Sequence, residues 1–206
     1  MTRGGVDHVW RNLRLGVISA GRRGPRTFGC LLALGCWLLL VGAATAGPAR
    51  DRLDDLLFDL QLVPLDGKRA PAFALPALDG GRVSLGDLRG RVVMLYFWAS
   101  WCPYCAKELP SAIETVQREL ADRGLDVLAI DIQEPPDKVA AWVKQRKVTT
   151  RVLLDGEGTV SQLYGVTGTP TVFLIGRDGQ LVAKAPGTKP WSSPQARELF
   201  RTLLAR

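Results

Sequence analysis

Seven apolar residues in a row, Val92 to Trp98 (VVMLYFW), run straight into Ala99-Ser100-Trp101 and then Cys102-Pro103-Tyr104-Cys105. A continuous run of this length, mixing branched and aromatic side chains, reads as a strand buried on both faces. Such a strand needs a layer above it and a layer below it, which points to an α/β architecture. Past the cysteines, Leu109, Ile113, Val116 and Leu120 recur at helical spacing, and Gly124 can end that helix. The Cys-X-X-Cys motif therefore opens a helix that leaves a central strand. Pro110 falls inside that helix, where a proline removes a hydrogen bond and kinks the chain.

The remaining elements alternate in the same sense. Ala72–Leu75 and Arg82–Leu85 flank Asp79-Gly80-Gly81, a hairpin signal. Val127 to Ile132 is a second buried strand, and Pro135-Pro136-Asp137 starts a helix with Val139, Trp142 and Val143 on its apolar face. Val152–Leu154 reads as a short strand, followed by a short helix near Thr159–Tyr164. Thr171–Ile175 and Leu181–Ala185 pair across Arg177-Asp178-Gly179. Ser193 then caps a last helix that has Pro194 at its first position and turns Leu199, Phe200, Leu203 and Leu204 inward. The expected order is β-hairpin, βαβ, helix and strand, then ββα, layered on one mixed sheet. Asp51 to Val63 could make an amphipathic helix or a helix-to-strand junction. Residues 47–70 are expected to be a transition before a domain spanning 71–206.

A cysteine at a helix N-terminus meets free N–H groups and the positive end of the helix dipole, which favour the thiolate, the attacking species. Two intervening residues fit one helical turn, so the two sulfurs can close a disulfide with little backbone movement. On this reading Cys102 is the exposed nucleophile and Cys105 the buried resolving thiol. Zinc is a poor fit, because the other candidate ligands, Cys30, Cys36 and His8, all lie in the N-terminal segment. The lone histidine also excludes Ser-His-Asp and Cys-His hydrolysis in the body of the chain. A purely structural disulfide stays open, as does, more weakly, a cysteine peroxidase, although this pair lacks a Thr-X-X-Cys context.

The chain has 206 residues and a net charge of +7, which alone would hint at nucleic acid. Its distribution argues otherwise. Residues 1–46 hold six Arg against one Asp, and residues 27–49 carry no charge. A basic segment followed by an apolar one is a signal peptide or an uncleaved membrane anchor, with Ala44-Thr45-Ala46 as a cleavage site in the first case. Positive charge stays on the cytoplasmic side, so the domain is expected outside it. The rest of the chain carries 21 basic and 19 acidic residues, interspersed, and the case for nucleic acid lapses.

The stretch Phe97-Trp98-Ala99-Ser100-Trp101-Cys102-Pro103-Tyr104-Cys105 resembles the active site of the thioredoxin superfamily. The wider context is similar to its TlpA/ResA-like branch of exported thiol–disulfide oxidoreductases. It includes Ala70-Pro71-Ala72-Phe73, Leu78-Asp79-Gly80, Glu108-Leu-Pro110, and Tyr164 to Phe173 with Thr169-Pro170. The resemblance implies a thioredoxin-like fold, with a central mixed sheet flanked by helices behind an N-terminal signal or anchor segment. It implies a cis-proline at Pro170, with Thr169-Pro170 beside the cysteines and its backbone pairing with a substrate segment. It implies that Glu108 is a carboxylate that tunes or deprotonates the buried thiol. Trp101 is read as presenting an apolar face to the partner, and Trp98 as core. The position of the buried acid of cytosolic thioredoxins is taken by Tyr96.

The implied activity is reduction of protein disulfides, such as those of apocytochrome c or copper-site cysteines. Electrons would come from a membrane-embedded thiol reductase, at the periplasmic or extracytoplasmic face of the membrane. No metal or cofactor beyond the Cys102–Cys105 disulfide is expected, and membrane contact is expected only through the N-terminal segment. The competing reading is a tethered thioredoxin-fold binding or assembly module whose Cys pair is structural.

Overall fold

The computed structural model describes residues 52–65 and 67–206. The expected leader, with Cys30, Cys36 and His8, lies outside the described residues. The chain runs α1 (Arg52–Asp59), β1 (Val63–Pro64), β2 (Ala74–Pro76), β3 (Arg82–Ser84), β4 (Val92–Trp98), α2 (Pro103–Glu108), α3 (Glu114–Leu120) and β5 (Leu125–Ile132). It continues through α4 (Pro136–Arg146), β6 (Arg151–Asp155), α5 (Thr159–Leu163), β7 (Thr171–Ile175), β8 (Leu181–Pro186) and α6 (Pro194–Leu204).

Six strands form one mixed sheet in the order β1-β8-β7-β4-β5-β6. β4 pairs parallel with β5 and antiparallel with β7, so it is interior on both edges. It is interior on both faces too: every residue from Val92 to Trp98 is at most 1 % exposed. Side chains alternate along a strand. Val92, Met94, Tyr96 and Trp98 accordingly face one core, with Leu109, Ile113, Trp142, Trp191 and Phe200. Val93, Leu95 and Phe97 face the other, with Phe73, Leu75, Tyr164 and Phe173.

Two features differ from the sequence expectation. The hairpin β2–β3 does not join the central sheet. It forms its own two-stranded sheet and meets β6 through a single bridge, Ala77 to Leu153. Residues 52–64 also pack into the domain. Leu53, Leu56 and Leu57 of α1 are buried in the first core, and β1 extends the sheet beside β8.

The helix after the cysteines is continuous in path but not in hydrogen bonding. α2 gives way to a π-helical turn, Leu109–Ile113, and then to α3. Pro110 stands in that turn and has no N–H to give the regular ladder. Gly124 closes the segment at φ 104°, a left-handed conformation that suits glycine. The turn between β4 and α2 thus sits at the carboxyl end of the central strand, with the loop that enters β7 and the loop that leaves β8 beside it.

Candidate active site

Cys102 is the N-cap of α2, with Pro103 at the first helical position, where its missing N–H costs nothing. Cys102 and Cys105 are joined by a disulfide, with their Cα atoms 5.3 Å apart. The Cys105 backbone N–H donates to Cys102 Sγ at 3.1 Å, so the helix terminus is already directed at that sulfur. Cys102 Sγ lies 3.6 Å from the carbonyl oxygen of Thr169, and the Thr169–Pro170 peptide bond is cis. Pro170 in turn is tied to the loop after β8, its carbonyl accepting from Gly187 N–H at 2.8 Å.

Exposure at the motif differs from expectation. Cys102 was expected to be the exposed thiol, yet it is only 2 % exposed in the disulfide form, and Cys105 is fully buried. In this disulfide, Cys102 Sγ is bonded to Cys105 Sγ and lies 3.6 Å from the Thr169 carbonyl oxygen. What the motif presents to solvent is aromatic: Trp101 is 65 % exposed and Tyr104 63 %. Trp98 is wholly buried, its ring centroid 4.6 Å from that of Trp142.

Glu108 is one turn beyond Cys105 and is buried. Its carboxylate accepts from the Tyr96 hydroxyl at 3.0 Å and from Lys189 N–H at 3.1 Å. Burial pushes its pKa up from the ordinary carboxylate value and outweighs the two hydrogen bonds, which pull it down. Burial, and then the carboxylate beside it, push the Tyr96 phenol far above its usual range, so it stays a donor. Sequence reasoning singled out Glu108 but saw in Tyr96 only the loss of an acid. The phenol is in fact one of the two donors that hold Glu108 in place.

A second acidic pair went unnoticed. Asp131 is fully buried near the end of β5, directly opposite Trp98 in the register. Neither of its oxygens has a hydrogen-bond partner among the described residues. Burial and the neighbouring Glu134 carboxylate push its pKa up to about 8. Glu134 accepts from the backbone N–H and the hydroxyl of Ser100, the latter at 2.7 Å, and pairs with Lys138. Against the upward push of burial, these bonds hold Glu134 below the ordinary range. The sequence signal was present: an aspartate in the apolar run Val127 to Ile132 is anomalous and calls for a reason.

Two grooves lie away from the cysteines. A groove of about 500 Å³ runs between β2 and α5, and one of about 350 Å³ lies beside α1 and α6, and neither is lined by Cys102 or Cys105. Among the described residues, no group of three His, Cys, Asp or Glu is placed to hold a metal ion.

A family model described as the AhpC/TSA family matches residues 67–184. The chain belongs to that family. Within it, the chain is 36% identical over 121 residues to the thiol–disulfide oxidoreductase ResA of Bacillus thuringiensis, covering 59% of this chain and 69% of that one. To ResA of Bacillus subtilis it is 34% identical over 123 residues, covering 60% and 68%. Among solved structures it is similar to a candidate thiol:disulfide interchange protein DsbE from Chlorobium tepidum. That match has a TM-score of 0.62 at 33% identity and covers 67% of this chain and 96% of that one. The chain is thus a thioredoxin-like thiol–disulfide oxidoreductase of the ResA type, built on a central mixed sheet flanked by helices.

Proposed function

We propose that the chain is an exported protein-disulfide reductase in which Cys102 attacks and Cys105 resolves. The reduced Cys102 thiolate attacks one sulfur of a partner disulfide. A mixed disulfide forms, and the partner's other sulfur leaves as a thiolate and takes up a proton. Cys105, deprotonated by Glu108, then attacks Cys102 Sγ, re-forming the Cys102–Cys105 bond and releasing the second partner thiol. Two electrons pass from the dithiol to the partner. A membrane-embedded thiol reductase outside the cytoplasm would restore the dithiol. Trp101 and the backbone of Thr169-Pro170 would hold the partner segment. Apocytochrome c and copper-site cysteines are the substrates that the family resemblance favours, with no metal or cofactor besides the cysteines. The N-terminal segment would be the one membrane contact.

The observation that carries this reading is the placement of the disulfide. It caps α2, touches Thr169 beside the cis bond, and has a buried carboxylate one turn away. Dithiothreitol-driven insulin reduction should be measurable with the wild type and absent in Cys102→Ser. Cys105→Ser should accumulate covalent partners through Cys102. The low exposure of Cys102 favours a second reading, a binding module with a structural pair. An empty trap would decide for that second reading, and full insulin activity in Cys102→Ser would overturn the assignment of Cys102 as the nucleophile.

A further inference from the structure

The charges on the face around Cys102 are one-sided, although the chain beyond the leader is nearly balanced. Four stretches lie at the motif: 99–113, 138–147, 163–172 and 184–193. Across all four the only acidic residue is Glu108, which is buried. The cations they carry converge on the motif from separate elements. Lys107 is exposed on α2, one turn from both Pro103 and Tyr104. Arg146, from the last turn of α4, donates to the Ala106 carbonyl at 2.9 Å and lies over the Trp142 ring. Lys189 follows β8 in the loop whose N–H holds Glu108. Lys184 of β8 donates to the Gly165 carbonyl, where the loop to Thr169-Pro170 begins.

Exposed acids are found elsewhere. Asp122 lies just before β5, at the opposite end of the sheet, and Asp178 lies in the β7–β8 turn at that same end. Asp137 and Glu157 do stand at the motif end, but they follow β5 and β6, away from the side where β7 and β8 deliver the cis-proline loop. Glu134, the acid that touches the motif loop, is buried and paired with Lys138.

We propose that this face selects protein segments that carry acidic side chains beside the reacting cysteine. The inference rests on the oxidoreductase reading above and names the substrate class of that site. A protein segment fits better than a small ligand. The face holds two exposed aromatic rings, Trp101 and Tyr104, and the grooves measured above lie elsewhere. Aromatic rings give apolar contact without charge, whereas the surrounding cations act over about 8 Å at physiological ionic strength. Complementary charge of this kind raises encounter rates and suppresses wrong partners.

Three disulfide-linked peptides, alike except for acidic, neutral or basic residues flanking the cysteine, should be reduced by the purified chain with dithiothreitol as electron source. Steering typically changes on-rates by about 10- to 1000-fold. We expect kcat/KM for the acidic peptide to exceed that for the basic one by at least about tenfold at low salt, with the gap narrowing in half-molar salt. Lys107→Glu with Lys189→Glu should remove or invert the ratio, and Lys107→Gln with Lys189→Gln should reduce it. Equal rates on all three peptides would overturn the inference while leaving the oxidoreductase reading intact, provided Cys102→Ser abolishes them. No turnover of any peptide would overturn both. If the cations instead serve an anionic bilayer, the chain binds phosphatidylglycerol vesicles through Lys107 and Lys189 and shows no peptide preference, which also overturns the inference.

Discussion

Glu108 sits where two opposing demands meet. To take a proton from Cys105 it must be ionised, and to titrate near a thiol it must be a weaker acid than an exposed carboxyl. Burial supplies the second condition, and the Tyr96 hydroxyl and Lys189 N–H keep the first within reach. Glu108 and Cys105 are one helical turn apart, so in the reduced chain a charge on one should disfavour a charge on the other. In a Cys102→Ser background, Cys105 alkylation against pH should show two inflections. Glu108→Gln should leave one, with the thiol midpoint lowered by about one unit, because the repelling carboxylate is gone. Tyr96→Phe should move the carboxylate inflection further up, since one stabilising donor is lost. An alkylation curve unchanged by Glu108→Gln would reduce this acid to a structural role. Half of the arrangement was legible in the sequence. Glu108 shows itself by its spacing from Cys105. Tyr96 reads only as one more member of an apolar strand, because where its hydroxyl ends depends on how α2 lies over β4.

At the scale of elements, the least legible piece was α1. Its sequence, RLDDLLFD, is short and acidic and carries no chemistry of its own. Its helical state is set by what it packs against: isolated helices of eight residues are not stable, and burial of one face decides. Leu53, Leu56 and Leu57 provide that face, and Arg52 reaches Glu198 of α6 in an exposed ion pair worth little. The expectation at this scale is that Leu57→Ala, at a site 2 % exposed, destabilises the domain by about 2–4 kcal/mol in urea unfolding. A cost below about 0.5 kcal/mol, as at a surface position, would return α1 to the status of a linker. The β4 and β7 segments were easier to read, because a strand buried on both faces leaves a nearly unbroken apolar record. Whether the β2–β3 hairpin joins the central sheet leaves no such record. Its alternation is the same in either place, and only the partner strand differs.

For the whole molecule, the buried carboxyls under the site make stability depend on pH in a particular direction. Asp131, at about 8, and Glu108, raised, keep their protons in the folded chain at pH values where the unfolded chain has already given them up. Between the ordinary carboxylate range and pH 8 the folded state therefore binds more protons, and stability falls as pH rises. Glu114 and Glu134 have the opposite sense: their lowered values add stability that is lost only in acid, below that window. From pH 5 to 8 the raised pair should dominate. Asp131→Asn keeps the shape and removes the charge that burial and Glu134 oppose. It should stabilise the domain at pH 8 by something of the order of 2 kcal/mol and give little at pH 5. Adding Glu108→Gln should flatten the remaining slope. Urea titrations of the three proteins at pH 5, 6.5 and 8 test this directly. A gain from Asp131→Asn that is equal at all three pH values would mean that Asp131 is not the group titrating in that window. A pH-dependent gain would mean that the fold keeps a destabilising acid beside Trp98 and Glu134, under the loop that carries Ser100 and Cys102. Natural proteins tolerate such a loss of stability where the group serves the site.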